Sequence, residues 1–170
     1  MRLYRGKVEA IAEDTIRALT GGDLIEVENE AEARLDIESV LKEYLRLDRE
    51  IVEEAKNRME TRGLGYSHLG RVKGQVAKER GVAEGDETLP YLLEQILNIL
   101  FHSNNIGEIF AEDADLRKLI TPILRKHMDV DTDLDREVRS KIKNLEEGTS
   151  TFEIEYSRVM EQIKQKRGLS

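Results

Sequence analysis

A chain of 170 residues is long enough for one domain with a sizeable core, or for two small packed halves. Its 36% of charged residues, with 2 prolines and no tryptophan, favour helices with solvated charged faces over extended sheet. The absence of cysteine excludes disulfides, thiolate zinc sites and a cysteine nucleophile, and the formal charge of −8 means that nucleic-acid binding would require a locally basic face.

The N-terminal stretch MRLYRGKVEAIAED contains basic residues but lacks the continuous apolar run of a signal peptide. No later segment approaches the ~20 consecutive apolar residues of a membrane span. We therefore expect a cytoplasmic protein with no membrane partner.

The first half of the chain predicts three amphipathic helices. The first ends at Gly21-Gly22, and the second begins after Asn29 with Glu32 placed to complete a capping box. The second is one long helix, or two with a slight bend, and the chain breaks at Gly63 before the third. The apolar stripes are Val8, Ile11, Ala12, Ile16 and Leu19, then Ile37, Val40, Leu41, Tyr44, Ile51, Ala55 and Met59, then Leu69, Val72 and Val76. The connector DLIEVE suits a short strand or an extended linker.

The second half repeats this order after the segment AEGDET. Its first helix ends at Asn104-Asn105, the connector IGEIFAE follows, and Asp113 is expected to cap the next helix. Pro122 predicts a kink or a restart of that helix, MDVDTD interrupts it, and a break follows near Gly148. The first helix of this half has the apolar stripe Leu92, Leu93, Ile96, Leu97 and Leu100. The last helix has the stripe Phe152, Tyr156, Val159 and Ile163.

The tetrapeptide LDRE occurs at Leu47–Glu50 and again 87 residues later at Leu134–Glu137. Sliding the chain by 87 residues gives 12 identities over the 35 positions from Leu47 to Gly81. About two would be expected by chance. An offset of 83 aligns Ala31, Arg34, Ile37 and Leu41 with Ala114, Arg117, Ile120 and Leu124, so the second copy has a four-residue insertion.

These matches predict an all-α protein made of two internally duplicated helical halves, residues 1–84 and 85–170, with a short strand-like connector in each as one alternative. A half of this size has a thin core by itself. We therefore expect the halves to share one core, like a fused dimer with an approximate two-fold axis, and to act as one cooperative unit.

The segments MRLYRGKVEAIAE, GGDLIEVENEAEARLDIESVLKEYL and LDREIVEEAKNRM resemble a bacterial family catalogued as domain of unknown function five-hundred-seven. The resemblance covers nearly the whole chain. It implies a bacterial, all-helical protein. Its motifs are caps, stripes and turns, so the resemblance supplies no site residues.

Three patterns in the sequence suggest chemistry, and the first two lack residues that the chemistry requires. The acids from Asp129 to Asp135 alternate like the start of a calcium loop, but that loop needs Gly and Glu where Leu134 and Ser140 stand. GYSHLGRV has the glycine frame of a phosphate loop without its Lys and Ser/Thr, and its adjacent Ser67 and His68 do not form a nucleophile elbow.

The third pattern is the set Glu94, Asn98 and His102 on one helix face, which could form half of a bundle metal site. A polar face beside an apolar stripe explains it as well. We predict no catalytic residue, no cofactor and no metal site.

Charge is distributed unevenly along the chain. The segment from Arg58 to Arg80 has six basic and two acidic residues, Arg158 to Arg167 has four and one, and Asp23 to Glu38 has seven acids and one Arg. Lys and Arg also occur near helix C-termini simply because the helix dipole favours cations there. The acidic segment could instead pair with such ends in a neighbouring subunit.

The resulting interpretation is a non-enzymatic helical binding or scaffolding protein with an unspecified protein partner, and a homodimer is compatible with it. The alternative is a nucleic-acid-associated protein that contacts phosphates through its two basic helix ends. The candidate phosphate contacts are Arg62, Arg71, Lys73, Lys78, Arg80, Arg158, Lys164, Lys166 and Arg167.

Overall fold

The computed structural model describes all 170 residues and contains seven α-helices and one two-stranded sheet. The helices are α1 (Val8–Gly21), α2 (Glu30–Arg62), α3 (Leu69–Arg80), α4 (Thr88–His102), α5 (Asp113–Met128), α6 (Asp131–Lys141) and α7 (Ser150–Lys166). The strands are β1 (Ile25–Val27) and β2 (Ile106–Ile109). The prediction of a mostly helical fold is confirmed. None of the helices combines the length and the apolar character needed to cross a membrane.

The two connectors form strands rather than extended linkers. β1 and β2 pair antiparallel, with Ile25 opposite Ile109 and Glu26 opposite Glu108. Ile25 is buried, while Glu26 faces solvent, which is the alternation expected of a half-buried strand. The sheet therefore joins the first half of the chain to the second.

The long stripe of the first half forms a single helix, α2, of 33 residues. The Asn29 side chain accepts a hydrogen bond from the backbone N–H of Glu32 at 3.1 Å, as the capping pattern predicts. At the other end, Gly63 has φ 64°, a left-handed conformation that ends the helix. Of the two alternatives for this segment, the unbroken helix is the one observed.

The prediction of a cap at Asp113 is wrong, and of the two alternatives predicted at Pro122 the restart of the helix is excluded. Glu112, not Asp113, precedes the first turn of α5, and it makes no side-chain cap; Asp113 lies inside the helix and pairs with Arg117. Pro122 lies within α5 without interrupting it. Pro122 and Lys118 are both exposed, so the carbonyl that the proline leaves without an N–H donor is on the solvent side.

The interruption of the second half falls between α5 and α6, at Asp129 and Val130, within MDVDTD. The final break also begins earlier than predicted, because α6 ends at Lys141, although Gly148 does have a left-handed φ of 88°. The chain from Asp113 to Lys141 therefore forms two helices, whereas Glu30–Arg62 in the first half is one.

The main hydrophobic cluster contains 28 buried residues, drawn from α1 to α5 and the segments beside them. Within it α1 packs on α2 and α5, and α4 packs on the same two helices. His127 of α5 is buried, and its Nε2 atom lies 2.7 Å from an Asp14 carboxylate oxygen on α1. Residues from both halves thus form one cluster.

A second cluster of 8 buried residues joins α6 and α7 to Tyr4 near the N-terminus. The backbone N–H of Gly6 donates to the Leu169 carbonyl at 3.1 Å, which holds the N-terminal segment against the end of α7. The N-terminal segment therefore links the two clusters, because Leu3 is buried in the main one.

The two repeated sequences end in the same local structure. Arg80 pairs with Glu50, and 87 residues later Arg167 pairs with Glu137. Each arginine is followed by a left-handed glycine, with φ 67° at Gly81 and 66° at Gly168. The next residues, Val82 and Leu169, are both buried. In each case the backbone closes the helix with a Schellman-type turn.

Candidate binding cleft

The nine candidate phosphate contacts do not share one environment. Four pair with carboxylates: Lys73 with Asp48, Arg80 with Glu50 and Glu54, Arg158 with Glu155, and Arg167 with Glu137. Arg71 contacts a ring nitrogen of His68, and Arg62, Lys78 and Lys166 are exposed without an ion pair. The ninth, Lys164, is half-buried in a cleft.

The sequence patterns that suggested metal chemistry have other contacts. Glu94 pairs with Arg117, and Nδ1 of His102 lies 2.7 Å from the Asn98 carbonyl of its own helix. Asp131 and Asp133 occupy the first turn of α6, where the helix dipole favours acids. No group of three or more His, Asp or Glu side chains is placed to hold a metal ion.

The N-terminal segment lies in a cleft between α2 and α7. A cavity of about 630 Å³ is bounded by Arg2 and Tyr4, by Lys56 of α2 and by Lys164 of α7. A second cavity, of about 320 Å³, adjoins it and adds Arg5 and Arg49 to the lining; both cavities include Arg2, Tyr4, Glu161 and Lys164. We call the two cavities together the binding cleft.

Tyr4 lines both cavities of the binding cleft and is 4% exposed. Its ring has two cations beside it, the Arg2 guanidinium carbon at 5.6 Å and Lys164 Nζ at 5.4 Å from the centroid. The electron-rich face of an aromatic ring attracts cations. Burial raises the pKa of the Tyr4 hydroxyl, so this side chain stays neutral at physiological pH.

Lys164 is in an unfavourable environment for a charged amine. Burial is the largest cause that lowers its pKa, and the positive charge of Arg2 lowers it further, against an opposing contribution from Glu161. Neither Arg2 nor Lys164 forms an ion pair. Two like charges therefore lie beside one ring, and neither of them is in an ion pair.

Most carboxylates of the binding cleft already have partners. Asp48 pairs with Lys73 at 3.0 Å, and Asp131 lies 3.2 Å from the Met1 amino group. Asp135 pairs with Arg139 and accepts a hydrogen bond from the Tyr156 hydroxyl at 2.6 Å. The Glu161 carboxylate accepts one weak bond, from the Ser170 hydroxyl at 3.4 Å. The cleft thus has more unpaired cations than unpaired acids.

The hydrogen bond from Tyr156 is the largest cause that lowers the pKa of Asp135, followed by the contacts with Arg139. Because the folded-state pKa lies below the unfolded value of about 3.9, this carboxylate stabilises the fold above that pH. The stabilisation is lost as the pH falls through the folded-state pKa. We expect Tyr156→Phe to lower the free energy of unfolding by about 1 kcal/mol at pH 7 and by much less near pH 2.

Urea denaturation of both proteins at the two pH values measures this difference. Tyr66→Phe is the control, because Tyr66 is exposed and its hydroxyl makes no hydrogen bond, so its effect should be near zero at both. A loss for Tyr156→Phe of the same size at both pH values would contradict the assignment.

Of the residues that line the cleft, the sequence predicts Lys164 but not Arg2, Tyr4, Arg49 or Lys56. Lys164 belongs to a basic run in the sequence, whereas its distinguishing feature in the structure is burial beside Tyr4. The one local signal is the sequence LYR, in which Tyr4 stands between an apolar and a basic residue. This pattern suits an aromatic side chain that packs in a core and also contacts a charged group.

The family model described as "Protein of unknown function (DUF507)" matches residues 1–169 of the chain. No curated protein matches the chain.

Proposed function

The chain belongs to the DUF507 family, and we propose that it is a non-enzymatic binding protein whose contact site is the binding cleft. The observation that carries the proposal is the meeting of Arg2 and Lys164 at the Tyr4 ring, where neither cation is in an ion pair. Lys164 is half-buried, and a partly buried charge without a partner is costly to the folded protein; such groups concentrate at functional sites. A ligand or partner that supplies the missing charge would relieve this cost.

A binding role is favoured over catalysis by the state of the polar groups in the cleft. The pKa of Asp135 is lowered, which makes this carboxylate a weak base at neutral pH. Burial raises the pKa of the Tyr156 hydroxyl, which donates a hydrogen bond to Asp135, so it is not poised as a nucleophile. Outside the cleft, His68 contacts Arg71 rather than Ser67.

We also infer that the two halves arose by internal duplication. The repeated identities, the common order of helix, strand and helices, and the matching ends at Gly81 and Gly168 support this. The position that matches Lys164 in the first half is Ala77, which is buried in the main cluster. The second half therefore has a cation where the first has a core residue, as expected if one copy acquired a binding role.

Nucleic-acid association remains the alternative proposal. Arg62, Lys78 and Lys166 are exposed and unpaired, which supports it, but four of the nine predicted contacts are already neutralised by carboxylates. A continuous phosphate track would need those charges to be free. The cytoplasmic location and the homodimer stay predictions.

A bulky substitution in the cleft tests the proposal. Ser157 is exposed on α7 and lines the larger cavity, so Ser157→Trp should block it. We expect retention of partners from a host extract to fall at least about tenfold, which corresponds to 1.4 kcal/mol of binding free energy. Quantitative mass spectrometry of the retained material is the measurement.

The matched control is Ser39→Trp. Ser39 is also an exposed helical serine, but it lies near the N-terminal end of α2 and does not line the cleft. It should retain partners like the wild type. Equal retention by both variants would contradict the cleft as the contact site. Loss of all retained material after nuclease treatment would favour the nucleic-acid alternative instead.

A further inference from the structure

We propose that the binding cleft holds a phosphate group of a small molecule between Arg2 and Lys164, an inference that rests on the proposed function and names its ligand class. The two side chains approach one aromatic ring from positions 5.6 Å and 5.4 Å from its centroid. They come from opposite ends of the sequence, so only the folded protein brings them together.

The ring and the two cations indicate the part of the cleft where an anion would bind. Tyr4 is buried, and both cations make cation–π contacts with its ring. The guanidinium of Arg2 offers a planar fork of N–H donors, and the amine of Lys164 offers a compact point charge. Both donors suit phosphate oxygens, and the fork binds two of them at once.

The charge of the cleft favours a dianion over a single carboxylate. Arg5 and Arg49 line the adjoining cavity without ion pairs, and Lys56 lies 4.0 Å from Glu53, the longest ion-pair distance in the molecule. Glu161 is the one lining carboxylate without an ion pair. The uncompensated positive charge therefore exceeds one unit, and a phosphate group carries about −1.5 to −2 charges at pH 7.

The shape of the cleft favours a small molecule over a nucleic-acid strand. Two of the unpaired cations, Arg2 and Lys164, meet at one buried tyrosine, whereas a strand needs cations spaced along a track, together with exposed aromatic rings for its bases. Tyr4 is 4% exposed and offers no face for stacking. The larger cavity, at about 630 Å³, lies within the usual size range of small-molecule sites.

Isothermal titration calorimetry with inorganic phosphate and with pyrophosphate tests the inference, at constant ionic strength and with chloride as the reference anion. We expect both to bind the full-length protein, with pyrophosphate the tighter. Lys164→Gln should weaken binding at least about tenfold, because a charged hydrogen bond to the anion is lost. Lys166→Gln is the matched control: Lys166 is an exposed, unpaired lysine on the same helix, and its replacement should leave affinity within about twofold.

Arg2→Gln provides an independent variant, because Arg2 is exposed and its replacement removes charge without disturbing a core. It should weaken phosphate binding like Lys164→Gln, while the melting temperature stays near that of the wild type. Lys164→Arg, which keeps the charge, should retain most of the affinity.

Four results would overturn the inference: no phosphate binding with a Kd below about 10 mM, which corresponds to about 2.7 kcal/mol of binding free energy; equal binding by all variants; equal losses for Lys164→Gln and Lys166→Gln; or, when citrate is titrated as a third anion, binding of citrate without phosphate. Each leaves the Ser157→Trp comparison unaffected, since that comparison measures partner retention. Conversely, phosphate binding that depends on Arg2 and Lys164, with partner retention unchanged in Ser157→Trp, would support the anion site and count against the wider contact surface.

Discussion

Replacing Leu92 by alanine is expected to lower the free energy of unfolding by about 2–5 kcal/mol. Leu92 lies on α4, is fully buried, and belongs to the cluster that α1 to α5 share. The substitution removes apolar contacts and leaves a cavity between packed helices, which relax only partly. Urea denaturation followed by circular dichroism measures the loss, and Leu35→Ala, at a side chain that is 49% exposed, should cost far less.

The same variant tests whether the halves share their stability. Because α4 packs on α2 as well as on α5, hydrogen exchange should become faster in α1 and α2 along with α4 and α5. Faster exchange confined to α4 and α5, with α1 to α3 unchanged, would show instead that the halves are stabilised separately.

Gly6→Ala is expected to lower the free energy of unfolding by about 1–3 kcal/mol and to weaken phosphate binding. A Cβ atom at Gly6 would overlap the carbonyl group of Gly168 and lie 2.7 Å from the Cα atom of Leu169. These are backbone atoms that cannot rotate away, so the N-terminal segment must move and carry Arg2 and Tyr4 with it.

Thermal denaturation and phosphate titration of this variant measure the two effects. Gly70→Ala is the control, since Gly70 lies in α3 with nothing within 4 Å of an added Cβ, and alanine there should be neutral or stabilising by up to about 1 kcal/mol. Wild-type stability and wild-type phosphate affinity in Gly6→Ala would show that the close contact with Gly168 is not required.

Local signals in the sequence were sufficient to predict most of the helices. The apolar stripe of α2, the cap at Asn29 and the glycine at Gly63 are all read within one or two helical turns of the residue concerned. The predictions that failed concern residues whose local sequence is also compatible with another structure. Asp113 has a cap-forming side chain but pairs with Arg117, and Pro122 breaks no buried hydrogen bond because its helix face is exposed.

The binding cleft could be predicted only in small part, because it depends on tertiary contacts. Lys164 meets Tyr4 through the packing of α7 on the N-terminal segment, which no periodic pattern encodes. The charge count of a segment also does not distinguish Arg167, whose charge is paired with Glu137, from Lys164, whose charge is not. Pairing and burial, rather than the number of basic residues, separate the two.

A crystal structure of the protein grown with pyrophosphate would show whether the binding cleft holds an anion through Arg2 and Lys164. We expect a phosphate group in direct contact with the Arg2 guanidinium and with Lys164 Nζ, beside the Tyr4 ring. Pyrophosphate bound elsewhere, for example at the exposed Arg62 and Lys78, with only water between Arg2 and Lys164, would contradict this expectation.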